Sequence, residues 1–164
     1  MKRVSVSVLL AAVTLLGIVV PTAGAAEGEQ HCYVRVIDKK ASGELVTTEP
    51  SCYATTAQMQ QAAYSPPTRL RQASTQSTFP LATHYDAANY GGSSTTVYGS
   101  DCLGGWLNTS AYWAANMAST RNGCARVKHF YYQNLGTPVW DTTGTGGNLN
   151  STLTNHAWSV QYTT

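Results

Sequence analysis

Beyond residue 80 apolar, aromatic and β-branched positions gather in short runs: Ala82 to Tyr85, Thr95 to Tyr98, Arg126 to Tyr132, Thr137 to Trp140 and Ala157 to Tyr162. Runs of this length, rich in β-branched and aromatic residues, predict strands rather than helices. Between them stand Gly91-Gly92, Gly104-Gly105 and Gly144-Thr145-Gly146-Gly147, where a backbone can turn through conformations denied to other residues. An all-β domain over residues 79–164 is predicted, with Trp106, Trp113, Trp140 and Trp158 supplying much of its core because each ring can bury a large area. The preceding stretch is different. Val34, Val36, Leu45 and Val46 mark short strands around a Ser42-Gly43 turn, while Met59, Ala62 and Ala63 recur at helical spacing within Ala54 to Ala63. Pro66-Pro67 ends that helix, and the Ser-, Thr- and Gln-rich run up to Phe79-Pro80 reads as an extended linker. At the start, Lys2 and Arg3 precede an apolar run from Val8 to Val20 and the small residues Ala23-Gly24-Ala25, the layout of a secretory signal peptide. The expected division is therefore 1–25 signal peptide, 26–78 N-terminal extension and linker, and 79–164 β domain.

Charge narrows the class. Of the 164 residues ten are Lys or Arg and eight Asp or Glu, and removing the two leader cations leaves eight of each sign. A neutral mature chain argues against a nucleic-acid partner, whose phosphates demand clustered cations, and against a polybasic membrane patch. With the leader removed, no membrane association and a secreted, extracellular, monomeric protein are expected. Export gives the cysteines their meaning: Cys32, Cys52, Cys102 and Cys124 are an even set in an oxidising compartment, which favours two disulfides over metal or thiol chemistry. Three pairings are open. Cys32–Cys52 with Cys102–Cys124 is favoured, because each closes a loop of about twenty residues and each closure restricts the unfolded chain by roughly 3 kcal/mol.

The β domain repeats itself. Tyr85-Asp-Ala-Ala-Asn-Tyr90-Gly91-Gly92 lines up with Phe130-Tyr-Tyr-Gln-Asn-Leu135-Gly136-Thr137 at an offset of 45, and each leads to a serine, Ser119 and Ser159, at an offset of 40. Two aromatics five residues apart with a glycine close behind suit a folded hairpin, and a later serine can bond its exposed backbone. Tyr85-x4-Tyr90-x-Gly92 with Ser119 resembles the Greek-key motif of the βγ-crystallin superfamily. The second copy keeps Phe130 and Ser159 but has Leu135 and Thr137 at the other two positions. Asn122-Gly123-Cys124 and Gly-Gly-Ser-Ser at 91–94 are similar to small secreted actinobacterial proteins of that superfamily, of the metalloproteinase-inhibitor-like and killer-toxin-like type. The resemblance implies two four-stranded Greek keys packed as a sandwich, with the Cys32/Cys52 segment as an N-terminal extension.

It also implies where to look for chemistry. Many microbial members hold calcium through Asn/Asp-Asn/Asp-x-x-Ser/Thr-Ser. Here the matching stretches are Ala115 to Thr120 and Asn155 to Val160, which offer Asn116, Ser119, Asn155 and Ser159 but no carboxylate. Calcium is thus a weak candidate and no other cofactor is expected. His31, His84, His129 and His156 lack zinc spacing and are expected to be ordinary surface or partly buried residues. No nucleophile elbow is present, and no enzymatic activity is expected. The segment from Cys102 to Asn108, with Leu103, Trp106 and Leu107, is the candidate inhibitory or binding loop, rigid beside a disulfide. By resemblance the leading function is a non-catalytic inhibitor of an extracellular peptidase. The alternatives are a structural or calcium-associated module and an antimicrobial, killer-toxin-like protein.

Overall fold

The computed structural model describes residues 28–65 and 77–164, so the expected signal peptide and most of the expected linker, with Pro66-Pro67, lie outside the described residues. Fourteen elements succeed one another. The N-terminal part contains β1 (His31–Lys39), β2 (Leu45–Thr47), β3 (Ser51–Tyr53) and α1 (Thr56–Tyr64). The remainder contains β4 (Phe79–Tyr85), a 3-10 turn (Ala88–Tyr90), β5 (Ser94–Gly99), β6 (Leu103–Asn108), α2 (Ala111–Asn116) and β7 (Ser119–Asn122). It ends with β8 (Arg126–Tyr132), β9 (Gly136–Thr143), β10 (Gly146–Asn148) and β11 (Ser159–Thr163).

Two sheets face each other. One runs β10-β7-β4-β5-β1-β2, with β3 also paired to β1, and the other β6-β11-β8-β9. Strands β4 to β7 form one Greek key and β8 to β11 a second, and each lends its third strand to the other's sheet: β6 pairs with β11, and β10 with β7. The exchange ties the halves together and makes a double Greek-key sandwich, the arrangement the resemblance in the sequence implies. Four of the predicted runs fall within β4, β5, β8 and β9, and the fifth, Ala157 to Tyr162, overlaps β11 from Ser159, but β6, β7 and β10 were not predicted as strands. In β10, Gly-Gly-Asn has no intrinsic strand preference; its pairing with β7 places it in the sheet.

The core also departs from expectation. Leu81, Ala82, Val97, Met117, Val127, Leu153, Val160 and Tyr162 fill the space between the sheets, while Trp113 and Trp158 are half-buried and Trp140 is 41% exposed. Of the four tryptophans only Trp106 is buried. Sheets stacked about 10 Å apart are filled by medium side chains reaching from both faces, so large indoles are displaced to the margins.

The N-terminal segment is joined to this sandwich. β1 pairs in parallel with β5, His31 opposite Ser94 and Arg35 opposite Tyr98, and Cys32 lies directly across from Cys52 on β3. The disulfides are Cys32–Cys52 and Cys102–Cys124. Helix α1 is capped by the Thr55 hydroxyl, which accepts from the Gln58 N–H at 3.2 Å, and buries Met59 and Ala63 against Tyr33 and Tyr98. Four residues apart, those two side chains share one helical face. No helix among the described residues is long and apolar enough to cross a membrane, and two disulfides fit an oxidising environment.

Candidate functional site

Each Greek key folds its first hairpin over itself and fastens it with one serine. Ser119 is fully buried; its Oγ accepts from the Tyr90 N–H at 3.0 Å and donates to the Ala87 carbonyl at 2.7 Å. Ser159 does the same with the Leu135 N–H at 3.1 Å and the Tyr132 carbonyl at 2.8 Å. The hairpins need this because Asn89 and Tyr90 in one, and Asn134 and Leu135 in the other, take positive φ, which turns their backbone groups away from any ladder. A second fastening crosses between the motifs. The Asn89 N–H donates to Asn148 Oδ1 at 2.8 Å while Asn148 Nδ2 donates to Asn89 Oδ1 at 3.1 Å. Asn134 and Asn108 repeat that pair at 2.9 and 3.0 Å. Asparagine suits this place twice over, since it tolerates the left-handed region and its amide both gives and accepts.

These bonds bear on calcium through the chemistry of the donor set. The Ser119 and Ser159 hydroxyls each have one donor and one acceptor partner already. The Asn116 amide is turned back on the Tyr112 carbonyl at 2.7 Å, and Asn155 is exposed. A calcium ion takes six to eight oxygens, usually with carboxylates among them. Among the described residues no three His, Cys, Asp or Glu side chains gather at one point. The donor set does not fit the ion.

The expected binding loop is not a loop. Leu103 to Asn108 is β6, paired with β11 from Ser159–Asn108 to Thr163–Leu103. Trp106 is buried, its Nε1 donating to the Ser42 carbonyl at 3.2 Å and its N–H to the Gly43 carbonyl at 3.1 Å, so it anchors the β1–β2 turn. Leu107 packs against the core. Leu103 alone projects, 70% exposed, with its N–H bonded to Asp101 Oδ1 at 2.9 Å and its carbonyl to Lys39 Nζ at 3.2 Å. The Gly104-Gly105 pair suggested a turn, but Gly105 serves close packing: a Cβ there would stand 2.6 Å from Leu45 Cδ2.

Two histidines were placed wrongly by the sequence. His84 and His129 are fully buried, and their rings meet edge to face at 5.8 Å. His84 bonds Thr120 Oγ1 at 3.0 Å and the Tyr162 hydroxyl at 3.3 Å. His129 bonds the same Thr120 oxygen at 2.8 Å and the Trp140 carbonyl at 3.3 Å. Burial, and then the neighbouring His129 charge, push His84 down from 6.5 to about 3. Burial pushes His129 down to about 4, against a smaller upward pull from the Trp140 carbonyl. Tyr162 is raised, also by burial. The signal was present in the alternation: His84 follows Ala82, and His129 follows Val127, at inward positions of their strands.

No protein-family model matches this chain, and no curated protein does. Among solved structures it is similar to a double mutant of a betagamma-crystallin domain from Clostridium beijerinckii. That likeness has 20% identity, a TM-score of 0.41, and covers 51% of this chain and 97% of that one. It is also similar to Hahellin, a beta-gamma crystallin, at 19% identity and a TM-score of 0.39 over 52% of this chain and 97% of the other.

Proposed function

We propose that the protein is a secreted, non-catalytic binding protein that inhibits an extracellular peptidase, and that its contact surface is the start of β6 rather than a loop. The observation that carries this reading is Leu103. A large apolar side chain is 70% exposed in the residue after Cys102, which the disulfide to Cys124 ties to the turn between β7 and β8. Its backbone is held on both sides by Asp101 and Lys39. An extended strand that presents one fixed side chain is the form in which chains are recognised by strand addition, and a strand already rigid has little ordering entropy left to lose. Trp106 and Leu107, further along the same strand, fix it to the Ser42-Gly43 turn and to the core.

The experiment is stoichiometric inhibition by the purified protein across secreted metallo-, serine and cysteine peptidases. Inhibition of at least one class is expected, with Leu103→Asp weakening it by about tenfold or more. Inhibition of none would sink the reading. Unchanged inhibition by Leu103→Asp would move the contact elsewhere.

A further inference from the structure

The interior of the sandwich holds a polar chain that neither the hairpin fastenings nor the proposed contact surface uses. His84 and His129 stand at equivalent positions of β4 and β8, 45 residues apart, and meet across the middle of the fold. The direction of each bond follows from its end. A carbonyl only accepts, so the His129 Nδ1 facing the Trp140 carbonyl carries a proton, and its Nε2 is bare and accepts from the Thr120 hydroxyl. Having given its proton, Thr120 Oγ1 accepts from His84 Nδ1–H, which leaves His84 Nε2 to accept from the Tyr162 hydroxyl. One pair of neutral tautomers satisfies all four contacts. A second proton on His129 turns its Nε2 into a donor. Thr120 Oγ1 then faces two donors, and its own proton is left with Met117 Sδ, 4.0 Å away.

Nothing nearby compensates the charge. The groups around the pair are Thr120 on β7, Tyr162 on β11, Met117 and the Trp140 carbonyl on β9. The carboxylates closest along the chain are engaged at the surface, Asp86 with the Tyr112 hydroxyl at 2.6 Å and Asp141 with Arg126 at 3.7 Å. Arg121, Arg126 and Lys128, on β7 and β8, are exposed or half-exposed. No Asp or Glu among the described residues makes a hydrogen bond or ion pair with either ring.

We propose that the Tyr162–His84–Thr120–His129 chain is an acid-release device: the sandwich holds while both imidazoles are neutral and gives way cooperatively when its surroundings acidify. The sign follows from linkage. Both histidines lie below 6.5 when folded, so below that pH the unfolded chain binds two protons that the folded core refuses, and unfolding is favoured as pH drops toward about 4. Above about 7 the contribution to stability is complete.

Denaturant unfolding of the full chain, followed by tryptophan fluorescence, tests this. Between pH 6.5 and about 5.5 the unfolding constant is expected to rise roughly 30-fold beyond the change shown by the His84→Gln/His129→Gln double variant, and roughly 5-fold beyond it with one histidine restored. The exposed His156 and the half-buried His31 remain in every variant, so their effect cancels. A difference below about threefold for the unaltered chain overturns the proposal. Because the double variant could fail to fold, nitrogen-detected NMR of the native protein gives an independent reading. Both rings should stay neutral with the proton on Nδ1 at about pH 5, and protonation of either ring in the folded state above that pH overturns it.

Discussion

In the first Greek key, the hairpin after β4 is weighted with side chains. Tyr85 and Tyr90 pack edge to face at 5.7 Å, the Arg121 guanidinium lies 4.9 Å over the Tyr90 ring, and Asp86 takes the Tyr112 hydroxyl. In the second, Leu135 stands where Tyr90 stands, and Tyr131 stacks on His156 at 5.1 Å. The backbones nevertheless agree through the left-handed pair, Asn89 and Tyr90 against Asn134 and Leu135. They part afterwards. The first hairpin continues through Gly92, at φ +74, before β5 opens at Ser94, whereas β9 opens at Gly136, already paired with Tyr132. Thr137 is therefore a strand residue in a shorter hairpin, not a failed glycine. The difference teaches that the serine and the left-handed pair define the hairpin, while the aromatic and the glycine belong to one version of it.

The largest effects should come from the feature the hairpins share. Ser119→Ala and Ser159→Ala each strand a backbone N–H and a carbonyl in a buried place, at about 2–4 kcal/mol. Urea unfolding should show the two losses within about 1 kcal/mol of each other. A negligible loss for Ser159→Ala would mean that the second hairpin closes by some other means. Glycine separates the copies. Gly92→Ala sets a side chain at positive φ and drives its Cβ into Asp86 Oδ1, costing about 1–3 kcal/mol. Thr137→Gly, which restores the motif on paper, should stabilise nothing and lose up to about 1 kcal/mol, because glycine weakens a strand. A gain in stability from Thr137→Gly would contradict the strand reading. The smallest effect should be that of calcium. With the Ser119 and Ser159 hydroxyls engaged and no carboxylate beside them, the melting midpoint in excess chelator and in about 1 mM calcium should differ by no more than about a degree. A site with a dissociation constant near 10 μM would add about 2.7 kcal/mol and shift the midpoint plainly.

Local pattern carried much of the fold. Strands β8 and β11 were legible because Val127, Phe130, Tyr131, Val160 and Tyr162 concentrate β-branched and aromatic residues in short runs. Ser119 and Ser159 were legible as backbone partners through their spacing from the hairpins. What stayed hidden depends on residues distant in sequence. β6 and β10 are swapped strands, recognisable only once the opposite sheet exists. Trp106 turned inward because the Ser42-Gly43 turn comes to meet it. Asn89 and Asn134 gave no sign of their partners, since Asn148 and Asn108 lie 59 and 26 residues away. The buried histidines were misplaced because residue type outweighed position: an imidazole usually seeks water, and only a partner for each nitrogen makes an interior place tolerable.

The parallel pairing of β1 with β5 has a consequence for the order in which the chain folds. Within the N-terminal segment, Cys32 and Cys52 are 20 residues apart and β1 finds β3 through a short connection. The strand that β1 must join lies 63 residues further on, and closing so long a loop is slow relative to forming a hairpin. β4 and β5 can pair through their own short turn long before β1 arrives. During that interval the outer edge of β5, with Thr96, Val97 and Tyr98, is open to pairing with any other extended chain, the usual route to aggregation. The N-terminal segment, late in docking though early in sequence, then acts as a strand held in reserve: it closes the edge the Greek key leaves bare and converts a temporary liability into the middle of a sheet.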